Sequence, residues 1–385
     1  MILDHIRELN MSIKIAYLID SISSDKAGTE KQLLEIIRRL NRDTFDPSLI
    51  CLTSSPWLEQ HELSCRHYEL GYNGFIKTKF PGVVARLSRI LRDERYNIMQ
   101  TFFEDSIFVG FLGSLFISPR PTLLSSRRDM GLGKDDLWYH SFFKALLPLV
   151  NRGFEGIVAN GSIVKEFVAK REKIDPKKIK VINNGISLPP EYIETPEIFN
   201  TIKTDIWIGI TANLKPVKRI DLFLKGLAVF KERSSIDFHA LILGEGTEDK
   251  TLRKMAQDFG LTQIVHFMGS VNNVYAYLKH LDIGVLCSDR EGFSNAIMEY
   301  MACGLPVVAT SVGGNIELVD ESNGIVIPAG DGEVLGNALA ILADHPELRK
   351  TKGMISLGLI KERYAWDRII AEWESYYLSL VSEIT

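Results

Sequence analysis

One stretch of the sequence carries more structural information than any other: Ser288-Asp-Arg-Glu-Gly-Phe-Ser-Asn-Ala-Ile-Met-Glu-Tyr-Met-Ala-Cys-Gly-Leu-Pro-Val-Val-Ala-Thr310. The apolar runs at residues 283–287 and 305–310 are typical of buried parallel strands, and the pattern between them predicts a polar loop and then a helix. Loop amides from Gly292 to Asn295 lie at the predicted helix N-terminus. Unpaired N–H groups and the helix dipole favour an anion there.

Two glutamates, Glu291 and Glu299, lie eight positions apart in this stretch. Eight residues make about 2.2 helical turns, so Glu291 is expected near the loop mouth and Glu299 deeper along a similar face. Two glutamates on an amphipathic helix can also form a solvated face, and an isolated pair would favour that interpretation. The flanking glycines, the proline and the two predicted buried strands favour a binding site.

The stretch resembles the E-x7-E donor-binding motif of the retaining family 4 glycosyltransferases, which have the GT-B fold. The match continues through Met301-Ala-Cys-Gly-Leu-Pro-Val-Val-Ala-Thr310 and Ser311-Val-Gly-Gly-Asn-Ile-Glu317. The resemblance implies that Glu299 holds the ribose hydroxyls of a nucleotide-sugar donor, and that Glu291 holds the sugar hydroxyls and is catalytic. The other donor contacts expected from this stretch are Gly292, Phe293, Ser294 and Asn295.

Strands and helices alternate along the rest of the chain, which indicates α/β units with parallel sheets and right-handed crossovers. The resemblance implies two Rossmann-like domains with sheets facing across a deep cleft. We expect an acceptor-binding domain at residues 1–195 and a donor-binding domain at residues 196–365. A helix at residues 366–385 is expected to cross back to the N-terminal domain. The proline- and acid-containing connector at residues 191–200 suggests the hinge.

The composition is that of a globular protein without nucleic-acid partners. The 385 residues are 45% hydrophobic and 24% charged, and the net charge is −4. The longest apolar run, residues 107–117, is too short to span a membrane. Four scattered cysteines, without C-x-x-C spacing, favour a reducing cytoplasm over a disulfide framework or a zinc site. The N-terminus lacks the h-region of a signal peptide, and the sequence leaves open whether residues 1–10 belong to the natural chain.

A second motif, Thr211-Ala-Asn-Leu-Lys-Pro-Val-Lys-Arg-Ile-Asp221, follows a predicted strand and precedes a predicted helix. It resembles the family's phosphate-binding segment, G-R-L-x-x-x-K-G, and the resemblance implies that Lys218 neutralises the donor diphosphate. Asn213 stands where many members have arginine, so Lys215 or Arg219 is expected to supply the missing charge. Taken alone, the segment is equally consistent with a solvated basic turn.

Charge neutralisation by these residues bears on catalysis. Departure of a nucleoside diphosphate develops negative charge on phosphate oxygens, and preorganised cations and amides aimed at that charge are usually the largest catalytic factor. Metal-using enzymes of this kind commonly carry Asp-x-Asp, which is absent from the sequence. We therefore expect metal-independent transfer with no cofactor. The resemblance implies a nucleotide-sugar donor, and we expect a UDP-sugar, although the sequence leaves the base, the sugar and the acceptor open.

Three further sites extend the resemblance. Gly28 lies in a loop that resembles the family's Gly-Gly loop, and Gly244 lies in a turn that commonly borders the nucleoside pocket. Arg127 and Arg128 follow a predicted strand where many members place a histidine. They could clamp an acceptor phosphate, with Arg128 also catalytic, or form a salt-bridged corner. His140 is a further candidate acceptor contact, although a lone histidine is more often structural.

Basic residues from Lys77 to Arg95 lie on or beside the predicted helix Phe80–Glu94. Such a helix can bind anionic lipid, but it is more often a crossover helix with a solvated outer face. The membrane hypothesis gains support because related enzymes often act on lipid-linked acceptors. It would place the protein at the inner face of the cell membrane.

These features together predict a retaining hexosyl-type glycosyltransferase that acts on a carbohydrate or lipid-linked acceptor in bacterial polysaccharide or glycolipid synthesis. The polymers in view are lipopolysaccharide, capsule and exopolysaccharide. Two alternatives stay open: a sugar-nucleotide epimerase of the same fold, and an inert nucleotide-sugar-binding subunit.

Overall fold

The computed structural model describes residues 12–25, 28–75, 79–129 and 145–382. Contacts divide the chain into two units. The first runs to Asn184 and resumes at Asp367, and the second is Gly185–Trp366. The first boundary precedes the expected residue 195 because the residues after Asn184 pair within the second unit. Ile186 forms a bridge with Ala365, and Tyr275 Oη donates to the Ser187 carbonyl at 2.8 Å.

The first unit contains a seven-stranded sheet in which every neighbouring pair is parallel. Its strands are β1 (Ile13–Ile19), β2 (Phe45–Cys51), β3 (Arg66–Glu69), β4 (Ile98–Phe102), β5 (Thr122–Arg127), β6 (Gly156–Ala159) and β7 (Ile179–Val181). The spatial order is β3-β2-β1-β4-β5-β6-β7, so the strand order reverses between β1 and β4. In open parallel sheets, ligands bind beyond the carboxyl ends of the strands at such a reversal.

The crossovers of the first unit are mostly helical. Its helices are α1 (Gly28–Arg39), α2 (Pro56–Gln60), α3 (Phe80–Glu94), α4 (Glu104–Ser114) and α5 (Ser162–Glu172), and residues 145–150 are also helical. In α3, Val83, Leu87 and Leu91 recur every four residues and are buried, which gives the helix one core-facing stripe. The helix ends where Arg95 adopts a left-handed conformation and donates its N–H to the Leu91 carbonyl.

The second unit has a six-stranded parallel sheet in the order β10-β9-β8-β11-β12-β13. Its strands are β8 (Ile206–Thr211), β9 (Phe238–Leu243), β10 (Val265–Gly269), β11 (Ile283–Leu286), β12 (Val307–Thr310) and β13 (Gly324–Ile327). Its helices are α6 (Glu197–Thr201), α7 (Ile220–Arg233), α8 (Asp249–Asp258), α9 (Val274–Leu278), α10 (Asn295–Ala302), α11 (Asn315–Leu318), α12 (Gly332–Asp344) and α13 (Pro346–Leu359). The strand order reverses between β8 and β11, so the loops that follow these strands leave the sheet side by side.

The C-terminal helix α14 (Trp366–Ser382) returns to the first unit. Its Tyr377 is fully buried, accepts a hydrogen bond from Tyr17 Oη at 3.0 Å and donates to Gln100 Oε1 at 2.6 Å. This buried polar chain fixes α14 against β1 and β4. Within the described residues, no helix has the length and apolar character needed to cross a membrane.

Candidate functional site

The two motifs predicted from the sequence meet at the strand-order reversal of the second unit. Strands β8 and β11 are direct neighbours, with Ile208 opposite Ile283. The loop after β8 carries Lys218 and the loop after β11 carries Glu291. Lys218 Nζ donates to Glu291 Oε1 at 2.6 Å, and Ser288 Oγ donates to the same oxygen at 2.6 Å. A cation and a carboxylate are thus fixed in direct contact beyond the carboxyl ends of the sheet.

A second set of contacts joins the same two loops. The Asp289 N–H donates to the Val217 carbonyl at 2.9 Å. The Arg219 guanidinium donates to Asp221 at 2.9 Å and to Asp289 at 3.0 Å. These hydrogen bonds, first that to Asp221 and then that to Asp289, raise the pKa of Arg219. The Arg219 guanidinium thus binds two carboxylates and ties the Lys218 loop to the Glu291 loop, while the donor contact expected of it stays a prediction.

The backbone of Arg219 is also unusual. Its φ and ψ are 51° and 46°, in the left-handed region. The family's phosphate-binding segment ends in glycine at the position that Arg219 occupies, and glycine adopts this conformation at little cost. In this chain the turn keeps the left-handed conformation, but the residue in it, Arg219, has a side chain that reaches Asp289.

Two glycines after β12 hold the Glu291 turn from the other side. Gly313 has a φ of 49°, and a Cβ there would overlap the Glu291 carbonyl. A Cβ at Gly314 would overlap the Gly292 carbonyl, which accepts a hydrogen bond from the Gly314 N–H at 2.9 Å. The Val-Gly-Gly sequence therefore lets the backbone after β12 contact the backbone of the Glu291 turn. This contact fixes the position of Glu291.

Helix α10 begins directly behind this turn. Ser294 caps it by accepting a hydrogen bond from the Ile297 N–H at 3.3 Å, and Asn295 is its first residue. Phe293 is buried, with its ring centroid 5.7 Å from that of Tyr364. The Phe293 side chain thus packs and the Ser294 side chain caps the helix, so the polar groups offered to an anion are the loop amides named from the sequence at the start of α10.

Tyr300 anchors α10 and was missed by the sequence analysis. Its hydroxyl accepts a hydrogen bond from the Thr211 N–H at 2.5 Å and donates to the Val285 carbonyl at 3.2 Å, so it joins the ends of β8 and β11. A Cβ on Gly284 would lie 2.5 Å from the Tyr300 ring. The sequence did contain a signal for this contact. Gly284 lies inside an apolar strand, and such a glycine often marks the close approach of another group to the backbone.

Glu299 lies in the second turn of α10 and is buried. Burial is the main cause that raises the pKa of Tyr275 on α9, and the negative charge of Glu299 is the next cause. Glu299 is therefore close to α9, whereas Glu291 is held by the loops after β8 and β11. The two motif glutamates thus have different surroundings.

The remaining donor candidates of the second unit lie in the loop after β8 and in the turn after β9. Asn213 and Lys215 are exposed, and Lys215 borders a 520 Å³ cavity whose lining also includes Arg219, Asp289 and Met255. Gly244 has a φ of 136°, and a Cβ there would overlap the Ala212 carbonyl. Gly244 thus allows the turn after β9 to pack against the loop that carries Asn213.

In the first unit, Arg127 belongs to a buried corner. Its guanidinium donates to Glu172 at 2.9 and 3.2 Å, to Asn151 at 3.1 Å and to Ser125. All three of its nitrogens are engaged by protein atoms. The expected acceptor contact by Arg127 is replaced by the alternative that the sequence left open, a salt-bridged corner.

Arg128 has a different environment. One guanidinium nitrogen donates to Asn184 Oδ1 at 2.8 Å, while its buried Nε has no hydrogen-bond partner. Burial lowers its pKa to about 10, and no carboxylate contributes to that shift. An arginine that is desolvated without an acid beside it is suited to bind an anionic ligand.

Gly28 was expected in the loop after β1 and is instead the first residue of α1. Nearby, at the β1–β4 reversal, Asp20 Oδ1 accepts hydrogen bonds from Ser106 Oγ at 2.6 Å and from the Ser106 N–H at 3.1 Å. Burial raises the pKa of Asp20 to about 7. The sequence analysis missed Asp20, although a carboxylate that directly follows an apolar strand was a visible signal.

Two family models match the chain. The one described as Glycosyltransferase Family 4 matches residues 27–188, and the one described as Glycosyl transferases group 1 matches residues 205–345. The chain belongs to the family 4 glycosyltransferases. The expected GT-B class of fold is confirmed by the crystal structure of Anabaena HepE in complex with UDP. That structure superposes with a TM-score of 0.80 at 22% identity, over 95% of this chain and 100% of that one.

Curated relatives of this family 4 chain include two bacterial enzymes. The N-acetyl-alpha-D-glucosaminyl L-malate synthase of Bacillus anthracis is 28% identical over 45% of this chain and 45% of its own length. The chain thus spans about half of that relative. The UDP-Gal:alpha-D-GlcNAc-diphosphoundecaprenol alpha-1,3-galactosyltransferase of Escherichia coli is 24% identical over 89% of this chain and 91% of its own length.

Two residues named from the sequence lie outside the described residues: His140, a candidate acceptor contact, and Lys77, the first of the basic residues beside helix Phe80–Glu94. Among the residues that are described, no group of three or more His, Cys, Asp or Glu side chains is placed to hold a metal ion.

Proposed function

We propose that the protein is a retaining glycosyltransferase that moves a hexosyl-type sugar from a nucleotide-sugar donor to a hydroxyl acceptor. The observation that carries this proposal is the contact between Lys218 Nζ and Glu291 Oε1, at 2.6 Å. It joins the family's phosphate-binding segment to its E-x7-E motif at the strand-order reversal, where α/β sheets bind nucleotides.

The proposed chemistry follows from the charges. When the bond from the anomeric carbon to the diphosphate breaks, negative charge develops on the phosphate oxygens. Lys218 and the amides at the start of α10 oppose that charge without needing to reorganise. Glu291 accepts hydrogen bonds from the sugar hydroxyls and orients the ring, and Glu299 binds the ribose. The leaving phosphate takes the acceptor proton as the new bond forms on the same face of the sugar.

The donor is proposed to be a UDP-sugar, with no metal and no further cofactor. Support for the uracil base comes from the names of the similar proteins, which include a UDP-galactose-dependent transferase and a protein solved with UDP. Support for metal-independent transfer comes from the absence of Asp-x-Asp in the sequence and from the position of Lys218.

The acceptor is proposed to be a carbohydrate on a lipid carrier, used in polysaccharide or glycolipid synthesis at the inner face of the cell membrane. Arg128 supports this, because its partly unsatisfied guanidinium suits a phosphate of the carrier. The Escherichia coli relative is named for an acceptor attached to diphosphoundecaprenol.

The first experiment identifies the donor. Thermal shifts are measured with UDP, GDP, ADP and their sugars, since a ligand that binds the native state raises its apparent stability. Transfer to a panel of acceptors is then followed by NMR, which reports the anomeric configuration of the product. Inversion would contradict the retaining mechanism. Epimerised sugar and free nucleoside diphosphate without acceptor would indicate an epimerase, and binding without any turnover would indicate an inert subunit.

The second experiment tests the role of Lys218. Activity should survive exhaustive chelation, and Lys218→Ala should raise the barrier by about 2–4 kcal/mol, the usual cost of losing one strong electrostatic group. Lys250→Ala, which removes an exposed lysine elsewhere in the same unit, is the matched control. Loss of activity on chelation with recovery on adding Mn²⁺ or Mg²⁺ would refute the metal-independent mechanism.

A further inference from the structure

Three exposed apolar side chains lie on two neighbouring segments of the first unit. Phe116 is 90% exposed, Leu149 is 60% exposed and Leu115 is 41% exposed. We call these three residues the apolar tip. Single exposed apolar residues are common on protein surfaces, but several that lie together mark a binding surface.

The segments that carry the tip are in contact. Leu115 and Phe116 directly follow α4, and Leu149 lies in the helical residues 145–150. A Cβ on Gly153 would overlap the Phe111 ring of α4, so the chain just after Leu149 packs on the last turns of that helix. Arg120 reinforces the contact by donating to the Gly153 carbonyl at 3.3 Å.

Exposed arginines lie on the segments that carry the tip and on the helix that packs beside them. Helix α3 packs beside α4, because Ser88 Oγ donates to the Gly113 carbonyl at 2.7 Å. This contact brings Arg89 and Arg92, both exposed on α3, to the side of α4 that leads into the tip. Arg120 and Arg152 are exposed on the two segments of the tip itself. Asp93 is exposed on α3, whereas the neighbouring Glu94 is paired with Arg66 at 2.5 Å.

We propose that the apolar tip and these four arginines form a membrane-docking surface, with Phe116 and Leu149 inserted at the headgroup boundary of an anionic bilayer. Arginines around an apolar centre match a surface whose headgroups are negative and whose interior is apolar. A second copy of the chain fits less well, because a symmetric contact would place the same arginines opposite one another.

The proposal deepens the proposed function, since it names the bilayer that carries the acceptor as the partner and rests on the acceptor being lipid-linked. It differs from the surface expected from the sequence, which was the basic face of α3 alone. Here α3 supplies two cations, and the insertion is made by residues after α4 and before Gly153.

The test is co-sedimentation of the full chain with vesicles, without donor or acceptor. Vesicles of phosphatidylcholine alone are compared with vesicles of equal parts phosphatidylcholine and phosphatidylglycerol. The wild type should bind the anionic vesicles, and Phe116→Ser and Arg92→Glu should each weaken that binding about tenfold, since burying one aromatic ring or pairing one cation contributes on this scale. The matched controls, Ile341→Ser (47% exposed) and Arg363→Glu, alter the exposed surface of the other unit and should bind as the wild type does.

Insertion is tested separately with Phe116→Trp, whose added fluorescence should be quenched by brominated lipid, whereas that of Ile341→Trp should not. Equal binding to neutral and anionic vesicles, or no effect of Phe116→Ser, would overturn the proposal. A wild-type dimer that Phe116→Ser dissociates would assign the tip to a second copy instead. Transfer to a water-soluble acceptor should be unchanged in Phe116→Ser, so loss of docking and loss of glycosyl transfer remain distinguishable.

Discussion

Replacing Arg219 by glycine tests whether the contact between the two site loops positions Lys218. Its ion-pair partners are largely solvent-accessible, with side chains 28% exposed for Arg219, 40% for Asp221 and 44% for Asp289. Exposed pairs of this kind contribute about 0.2–1 kcal/mol each, so losing both costs about 1 kcal/mol. Glycine is preferred at a left-handed position by a similar amount. Arg219→Gly should therefore unfold close to the wild-type temperature.

Activity should respond differently, because, of the two ion pairs that Arg219 makes, that to Asp289 joins one loop to the other, whereas that to Asp221 does not. Without it, Lys218 keeps its contact with Glu291, but the turn that carries it is less constrained. We expect kcat to fall about tenfold, which corresponds to about 1.4 kcal/mol in the barrier. Arg219→Ala, which keeps the left-handed strain and loses the pairs, should show the same loss of kcat and in addition be less stable by about 1 kcal/mol.

The assay is steady-state kinetics with a saturating acceptor, alongside thermal unfolding. Asp289→Asn and Asp221→Asn form a matched pair, because both carboxylates bind Arg219 but only Asp289 lies on the Glu291 loop. Asp289→Asn should reproduce the fall in kcat, and Asp221→Asn should keep most of the wild-type rate. An equal loss in both variants, or an unchanged kcat in Arg219→Gly, would refute the positioning role.

Three further predictions concern other parts of the two units. Glu299→Gln should raise donor KM and keep most of kcat, because ribose binding is uniform, whereas Glu291→Gln should lower kcat about 10²-fold. Steady-state kinetics, together with separately measured nucleotide affinities, would show whether the two variants fail in these ways or the other way round. Tyr300→Phe should cost about 1–3 kcal/mol in urea unfolding, because it leaves the Thr211 N–H without its acceptor; an unchanged midpoint would contradict this. The folded-state pKa of Asp20, about 7, lies above its unfolded value of 3.8, so its stabilising effect is full below about pH 4 and is lost as the pH rises through about 7. Relative to Asp20→Asn, the wild type should therefore lose unfolding free energy between about pH 4 and pH 7, and a constant difference would show that Asp20 titrates normally.

The long, periodic elements were predictable from the sequence. Helix Phe80–Glu94 has the predicted bounds, since an apolar stripe at helical spacing specifies both the element and its buried face. Strand Arg66–Glu69 was missed because it is a polar edge strand without an apolar run. The first half of strand Phe45–Cys51 carries little local signal, because Asp46 and Pro47 are residues that disfavour strands away from sheet edges.

Within the site, the sequence predicted which residues lie there better than it predicted their hydrogen-bond partners. The motifs placed Lys218 and Glu291 in separate loops, and parallel-sheet topology brought those loops together. The contacts made by Arg127 could not be predicted, because Glu172 and Asn151 are distant in sequence and no local pattern links them. Phe293 and Ser294 were assigned to the donor by position in the motif, whereas burial and capping decide the direction of their side chains.

Asn213 and Arg219 together change the electrostatics of the phosphate site. The family's segment supplies an arginine where this chain has Asn213, and the charge of Arg219 is offset by its ion pairs with Asp221 and Asp289. Arg219 and its two partners carry a net charge of −1, so the proposed diphosphate contacts of this loop are Lys215 and Lys218, which is also paired with Glu291. Binding of a bare nucleoside diphosphate should accordingly depend heavily on the amides at the start of α10. If Glu291 binds the sugar as proposed, the intact donor gains these contacts in addition, and the sugar should contribute a larger share of donor affinity here than in relatives that keep the arginine.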